Sequence, residues 1–123
     1  VFMAHFKDLI AWQKSIELTT ELYRLTEVFP RHELYGLADQ IRRAAVSVSS
    51  NIAEGQAHFS RREFCHYLHH SRGSLAEIET QIIIAERLHY ISKSQLDAEL
   101  QRIHEIGRII NGLINSLSAH KAA

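Results

Sequence analysis

Histidine and arginine side chains are concentrated in one short stretch of the sequence. Between residues 58 and 72 they occupy seven positions, and Glu63 is the single acid. The seven are His58, Arg61, Arg62, His66, His69, His70 and Arg72. Side chains of these types can contact phosphate groups, bind a metal ion through imidazole nitrogen, or transfer protons. The stretch is therefore the first place to look for chemistry.

Two Glu-x-x-His patterns, Glu63 with His66 and Glu86 with His89, resemble parts of the di-iron motif of four-helix proteins. Glu86 follows Glu63 by 23 positions on one predicted helix, which corresponds to about 35 Å. A di-iron site needs its ligands on facing helices. The sequence thus predicts no metal site.

A histidine cluster and a lone cysteine complete the groups with reactive side chains. His66, His69 and His70 are interpreted as a solvated face that could hold at most an adventitious divalent ion. Cys65 and His66 are adjacent, so their side chains project about 100° apart on a helix and cannot form a nucleophile and base pair. The sequence also lacks a glycine-rich phosphate loop and a nucleophile elbow. We expect a protein that is not an enzyme and has no cofactor.

Composition gives few clues to a partner. Fourteen basic and fourteen acidic side chains leave a formal net charge of zero, so only local patches could attract a polyanion. The single cysteine cannot form an intramolecular disulfide, and neither an export signal nor a run of about 18 apolar residues is present. We expect a cytoplasmic protein with no membrane partner.

The reactive groups must be positioned by helices, because apolar residues recur at steps of three and four and strand alternation is absent. One all-α domain over residues 1–123 is predicted, with Val1 and Phe2, which precede Met3, given no structural role. The four predicted helices are 6–29, 31–54, 60–89 and 93–118. Short connections between long helices favour an up-down-up-down antiparallel four-helix bundle.

The sequence also predicts which residues face the core and which end the helices. For the first helix the core face is predicted to be Leu9, Trp12, Ile16, Thr19, Tyr23 and Thr26. For the third it is Phe64, Leu68, Ser71, Leu75, Ile78, Ile82 and Ala85. Gly55 is predicted to end the second helix in a left-handed turn. Ser60 with Glu63, and Ser92 with Gln95, are predicted to cap the third and fourth helices.

The second helix runs from Ala44 to Ala53 without a charge. Either this is an exposed surface rich in alanine and serine, or its small residues allow another subunit to approach. The consecutive residues Ile82 to Ile84 favour the second interpretation, because one core stripe buries only the first of them. We therefore predict a homo-oligomer. Its candidate interface residues are Val46, Ser49, Asn51, Ala53, Ile83 and Ile84, with the polar Asn51 available to fix register.

The histidine-rich stretch has two interpretations as well. It is either an ordinary surface with a local charge excess or a phosphate-contacting patch. The candidate nucleic-acid residues are Arg61, Arg62, His66, His69, His70 and Arg72. Phe59 is a candidate for stacking on a base.

Several segments together resemble a known family. They are "FKDLIAWQKSIEL" at 6–18, the segment 22–55 with Pro30, "QIRRA" and "NIAEG", and "GSLAEIETQIIIAERL" at 73–88. These segments are similar to the four-helix-bundle proteins encoded by intervening sequences in bacterial 23S ribosomal RNA genes. The resemblance implies a helical bundle that assembles into a pentameric ring. A related family, the accessory variability proteins of diversity-generating retroelements, forms a basic ring that binds nucleic acid and a reverse transcriptase.

Two functions remain open from the sequence. The first is a ring-forming adaptor that binds RNA or DNA weakly and without sequence specificity. The second is a protein-binding or structural homo-oligomer without a role in nucleic-acid binding. The zero net charge distinguishes this chain from the basic ring of the retroelement relatives.

Overall fold

Four helices make up most of the chain. The computed structural model describes residues 5–122, and the side chains of residues 5–119. The helices are α1 Ile10–Thr26, α2 Leu37–Ala57, α3 Arg61–Arg87 and α4 Lys93–Ala122, with short 3₁₀ turns at Phe6–Asp8 and Arg31–Glu33. No strand occurs in this part of the chain, so the predicted all-α class is confirmed. Val1 and Phe2 lie outside the described residues.

The first two helices are shorter at their starts than predicted. α1 begins at Ile10 rather than at residue 6, because Leu9 adopts an extended conformation that separates it from the turn Phe6–Asp8. α1 also ends at Thr26, before Pro30. α2 begins at Leu37 rather than at residue 31, since the chain after Pro30 first makes a separate 3₁₀ turn.

Gly55 does not end α2, and that prediction is wrong. The helix continues to Ala57, and the left-handed residue in the turn is Phe59, with φ of 53°. A Cβ atom added to Gly55 would lie 2.7 Å from Cβ of Tyr67. Gly55 is therefore needed where α2 and α3 approach each other closely, rather than for its backbone freedom.

The starts of α3 and α4 carry the predicted caps. Ser60 Oγ accepts a 3.3 Å hydrogen bond from the N–H of Glu63. At α4 the capping is reciprocal, because Ser92 Oγ accepts from the N–H of Gln95 while Gln95 Oε1 accepts from the N–H of Ser92. α3 ends at Arg87, two residues before the left-handed His89, with φ of 64°. α4 extends to Ala122, beyond the predicted residue 118.

Each helix packs against two neighbours, in the cyclic order α1, α2, α3, α4. The contact between α2 and α3 is the most extensive, whereas the backbones of the diagonal pairs, α1 with α3 and α2 with α4, lie farther apart within residues 5–122. Hydrogen bonds join Val48 to Ser71 and Glu54 to Tyr67. Residue numbers rise along α2 as they fall along α3, so these two helices run in opposite directions.

The core face of α3 is as predicted, but that of α1 is not. All seven predicted residues of α3 are buried. Of the residues predicted for the first helix, Ile16 and Tyr23 are exposed, and Leu9, Trp12 and Thr19 are only half-buried. The residues of α1 that are buried are Ala11, Ser15, Leu18, Leu22, Leu25 and Thr26.

The physical reason is that α1 has two apolar stripes and that hydroxyl groups bonded to their own helix can be buried in the core. Ser15 Oγ donates to the carbonyl of Trp12, and Thr26 Oγ1 donates to the carbonyl of Leu22, each at 2.8 Å. A buried hydroxyl that is hydrogen-bonded to its own helix is tolerated in an apolar environment. The true core stripe of α1 therefore contains serine and threonine, while a second apolar stripe faces outward.

None of the helices within the described residues combines the length and apolar character needed to cross a membrane.

Candidate nucleic-acid and subunit surfaces

The six candidate nucleic-acid residues project from the first three turns of α3. We call this set, Arg61, Arg62, His66, His69, His70 and Arg72, the α3 cationic face. All six side chains are exposed. The set spans about 17 Å along the helix axis. The acid within this stretch, Glu63, is half-buried. All six predicted residues are therefore accessible on the same segment of α3.

Arg72 anchors this face to α4. Its NH1 donates a 3.0 Å hydrogen bond to Oδ1 of Asn111, and its NH2 lies 2.9 Å from Nδ1 of His69. Because a guanidinium group only donates, Nδ1 of His69 acts as the acceptor. Arg72 is thus held in place by one partner on its own helix and one on the neighbouring helix.

The structure adds three residues of α4 to this surface that the sequence analysis missed. His104, Arg108 and Asn111 line a groove with Arg72 between α3 and α4. His104 Nε2 lies 3.1 Å from Oε1 of Glu79. The three residues are spaced four and three positions apart, so the sequence alone indicates that they share one face of α4. Their position beside Arg72, however, depends on how α3 and α4 pack.

His66 and His70 face each other on the outer side of α3. Their Nε2 atoms are 3.3 Å apart. His69, between them in sequence, turns instead toward Arg72. The predicted cluster of three histidines is therefore a pair and a separate single residue.

The turn between α2 and α3 presents aromatic side chains beside the cationic face. The side chain of Phe59 is 58% exposed, and its backbone is left-handed. The His58 ring stacks on Tyr67 with centroids 5.3 Å apart. Tyr67 donates a 3.1 Å hydrogen bond to Glu54. That hydrogen bond, with burial and the negative charge of Glu54, raises the pKa of Tyr67 above its usual value and keeps the hydroxyl protonated.

The candidate interface residues lie in different environments. Val46 on α2 and Ile84 on α3 are each 43% exposed. Ala53 and Ile83 are half-buried, and Ile83 packs against the core. Ser49 is only 7% exposed, and its hydroxyl donates to the carbonyl of Val46. The expectation that Ser49 is exposed for subunit contact is wrong, because this residue is covered within its own chain.

Asn51 uses its amide group within α2. Its Nδ2 donates to the carbonyl of Ser47 at 2.8 Å and to Oγ of Ser47 at 2.9 Å. Ser47 Oγ in turn accepts from Oγ of Ser74 on α3. The side chain of Asn51 thus belongs to a polar chain that joins α2 to α3.

The outward apolar stripe of α1 continues onto α2. We call the exposed residues Ile16, Tyr23 and Val46 the α1–α2 apolar surface. Tyr23 and Val46 line the same groove, and Thr19 joins the helices there by donating to the carbonyl of Ala45 at 3.1 Å. Arg42 lies 4.7 Å above the Tyr23 ring and donates to the Tyr23 carbonyl. Ile16 and Tyr23 were not predicted on this surface, because their spacing placed them on the predicted core face of the first helix.

Within the described residues no group of three or more His, Cys, Asp or Glu side chains could hold a metal ion. Cys65 is half-buried, and its sulfur lies 4.0 Å from Oγ of Ser118. Glu63, His66 and Glu86 lie on α3, and His89 follows its end, so the two Glu-x-x-His patterns do not lie on facing helices.

Four packed helices with a cationic face on one pair and an exposed apolar stripe on another define an all-helical bundle protein. The profile of the 23S rRNA-intervening sequence protein family matches residues 7–112. The chain therefore belongs to the 23S rRNA-intervening sequence protein family, and the resemblance noted from its segments is confirmed.

A solved structure supports the fold. The chain is similar to a protein of unknown function from the S23 ribosomal protein family of Bacteroides thetaiotaomicron VPI-5482, with a TM-score of 0.79 and 21% sequence identity. The match covers 86% of this chain and 96% of the other. No curated protein matches the chain.

Proposed function

We propose that this protein is a non-enzymatic, single-domain bundle that assembles into a ring and binds RNA or DNA weakly through its α3 cationic face. The observation that carries the proposal is the continuity of that face. Six exposed arginine and histidine side chains follow one another on one helix, while Glu63, the acid among them, is half-buried. Side chains of this kind can contact the phosphate groups of a nucleic acid.

Binding through this face would be non-sequence-specific. Phosphate contacts position a nucleic acid without reading its bases. Arg72 supports this mode, because its bonds to His69 and Asn111 hold the guanidinium in place before a ligand arrives. Phe59, exposed beside Arg61 and Arg62, would add stacking on an unpaired base.

Ring assembly would cover the α1–α2 apolar surface. In the proposed up-down-up-down bundle, this surface and Ile84 lie on different helices, so each subunit offers two different patches. A cyclic arrangement buries two different patches per subunit and closes without exposed ends. Five subunits are proposed from the family resemblance. Repetition around a ring would also multiply the cationic face.

The nucleic-acid proposal is tested by fluorescence anisotropy with a 12-nucleotide single-stranded RNA at two salt concentrations. We expect binding at low salt that weakens steeply as salt rises, because each neutralised phosphate releases counterions. The double variant Arg61→Gln/Arg62→Gln should bind several-fold more weakly. The matched control Arg31→Gln/Arg87→Gln removes the same charge from other exposed positions and should bind as the wild type does.

If the wild type binds no RNA at low salt, or if both double variants bind equally well, the α3 cationic face does not bind nucleic acid. The exposed α1–α2 apolar surface would then favour the second function, a protein-binding or structural homo-oligomer.

Assembly is tested by native mass spectrometry and light scattering at micromolar concentration. We expect a closed oligomer for the wild type and a smaller species for Val46→Glu, because a charge is costly to bury in an apolar interface. Gln101→Glu, at an exposed position of α4, is the matched control and should leave the mass unchanged. A wild-type mass of one subunit would contradict the ring.

A further inference from the structure

We propose that His66 and His70 form a binding site for one divalent transition-metal ion. The two residues are four positions apart on α3, and their Nε2 atoms lie 3.3 Å apart. Residues four apart lie on one face of a helix. The pair would bind a metal whether or not the α3 cationic face contacts nucleic acid.

The spacing of the two nitrogens fits metal coordination. Imidazole nitrogen lies about 2.0–2.1 Å from a bound zinc ion, so two nitrogens on a tetrahedral ion are about 3.3–3.4 Å apart. The ring planes are inclined by 82° with centroids 4.7 Å apart, so the rings meet at an edge and are not stacked. A metal ion would take the place of the hydrogen bond that now joins the two nitrogens, with little change in their separation. The ring that now donates this bond would carry its proton on Nδ1 instead of Nε2.

The donor set selects the class of ion. Neutral imidazole suits Zn²⁺, Ni²⁺ and Cu²⁺, whereas Mg²⁺ and Ca²⁺ prefer oxygen ligands. Two protein nitrogens leave further coordination positions for water or for a ligand atom from another molecule. This arrangement resembles an open site more than a closed structural one.

Charged groups of both signs lie near the pair. Arg61 and Arg62 line the same small groove as His66. Glu63 precedes His66 by one turn of α3, and Glu54 approaches from α2 through its bond to the Tyr67 hydroxyl. The arginines therefore weaken the attraction of a cation, and the two glutamates offset part of that effect.

His69 provides an internal control. It is exposed on the same helix, but its Nδ1 accepts from Arg72 and it is turned away from the other two rings. A general affinity of exposed histidines for metal would involve all three residues equally. A site built by geometry would involve His66 and His70 alone.

The test is isothermal titration calorimetry of the tag-free protein with zinc chloride, and separately with nickel chloride, at pH 7.5 in a non-coordinating buffer. We expect one ion per chain. His66→Ala and His70→Ala should each weaken binding by about a hundredfold, because a single imidazole loses the advantage of the second, linked ligand. His69→Ala should bind as the wild type does.

The proposal is overturned if the wild type binds no ion at millimolar zinc or nickel. It is also overturned if His69→Ala weakens binding as much as His66→Ala does. Circular dichroism of each variant would show that α3 is intact.

Discussion

The hydroxyl of Tyr90 donates a 2.8 Å hydrogen bond to the carboxylate of Glu33. The other carboxylate oxygen accepts a 3.0 Å bond from the N–H of Leu37, at the start of α2. Glu33 therefore caps α2 from outside the helix and joins the α1–α2 connection to the turn before α4. No serine, threonine or aspartate precedes Leu37 at the cap position, which is occupied by Gly36.

This arrangement predicts a loss of stability in acid. The bonds from Leu37 and Tyr90, with the nearby His32, lower the pKa of Glu33 below its usual value. The unfolded chain then binds a proton more readily than the folded chain, so the free energy of unfolding falls as the pH drops below about 4.3 and through the lowered pKa. Urea unfolding of the wild type and of Glu33→Gln between pH 3 and 7, at fixed protein concentration, measures this.

Glu33→Gln should show a smaller decrease between pH 7 and pH 3 than the wild type. Glu17→Gln, which removes an exposed carboxylate from α1, is the control and should retain the wild-type slope. Identical slopes for the wild type and Glu33→Gln would show that this carboxylate does not contribute to acid sensitivity.

Gly55→Ala is predicted to destabilise the protein although it raises helix propensity. The added methyl group would lie 2.7 Å from Cβ of Tyr67 and 3.2 Å from a ring carbon of Phe64. Separating α2 from α3 to relieve this contact should cost about 1–3 kcal/mol. Thermal or urea unfolding measures this loss of stability.

The control is Gly112→Ala in α4, where a Cβ atom meets no atom within 4 Å. This variant should instead raise stability by about 1 kcal/mol. Equal effects at the two positions would contradict close packing at Gly55.

Apolar periodicity predicted the core face of the third helix correctly but that of the first helix incorrectly. α3 has one apolar stripe, and all seven predicted residues are buried. α1 has apolar residues on two stripes, which share the same period and differ only in phase. Choosing between them requires knowing that the hydroxyl group of Ser15 bonds to its own helix, which periodicity does not show.

The residue types of the candidate site were visible in the sequence, but their pairings were not. Spacing placed His66, His69 and His70 on the outer side of α3. It did not show that His69 would turn to Arg72 while the other two face each other. The contact of Arg72 with Asn111 depends on the relative position of α3 and α4, which core packing sets.

Glu99 is predicted to destabilise the protein at neutral pH. It is 7% exposed, its Oε1 lacks a hydrogen-bond partner among the described residues, and Nε of Arg102 lies 3.8 Å away. Burial raises the pKa of Glu99, Arg102 opposes this, and Glu21 adds to it. Because the folded chain then holds the proton more tightly, this group lowers stability as the pH rises from about 4.3 through the raised pKa.

Glu99→Gln should therefore stabilise the protein at pH 7, by an amount on the order of 1–2 kcal/mol, and have little effect at pH 4. Urea unfolding at both pH values measures the difference, with Glu17→Gln as the exposed control. A stability difference that is the same at pH 4 and pH 7 would show that the charge of Glu99 is not its cause.

The left-handed backbone of Phe59 leads to a prediction with two opposite effects. A bulky residue at φ of 53° is strained, and glycine relieves strain of this kind. Phe59→Gly should thus raise the free energy of unfolding by about 1 kcal/mol. If Phe59 stacks on a base, the same variant should bind the 12-nucleotide RNA about five- to tenfold more weakly, because stacking contributes at least about 1 kcal/mol per base. Tyr35→Ala removes another exposed aromatic ring, in the α1–α2 connection, and should leave RNA binding unchanged. Higher stability with undiminished RNA binding would assign Phe59 to the turn alone, whereas weaker binding in both variants would point to a general loss of aromatic surface.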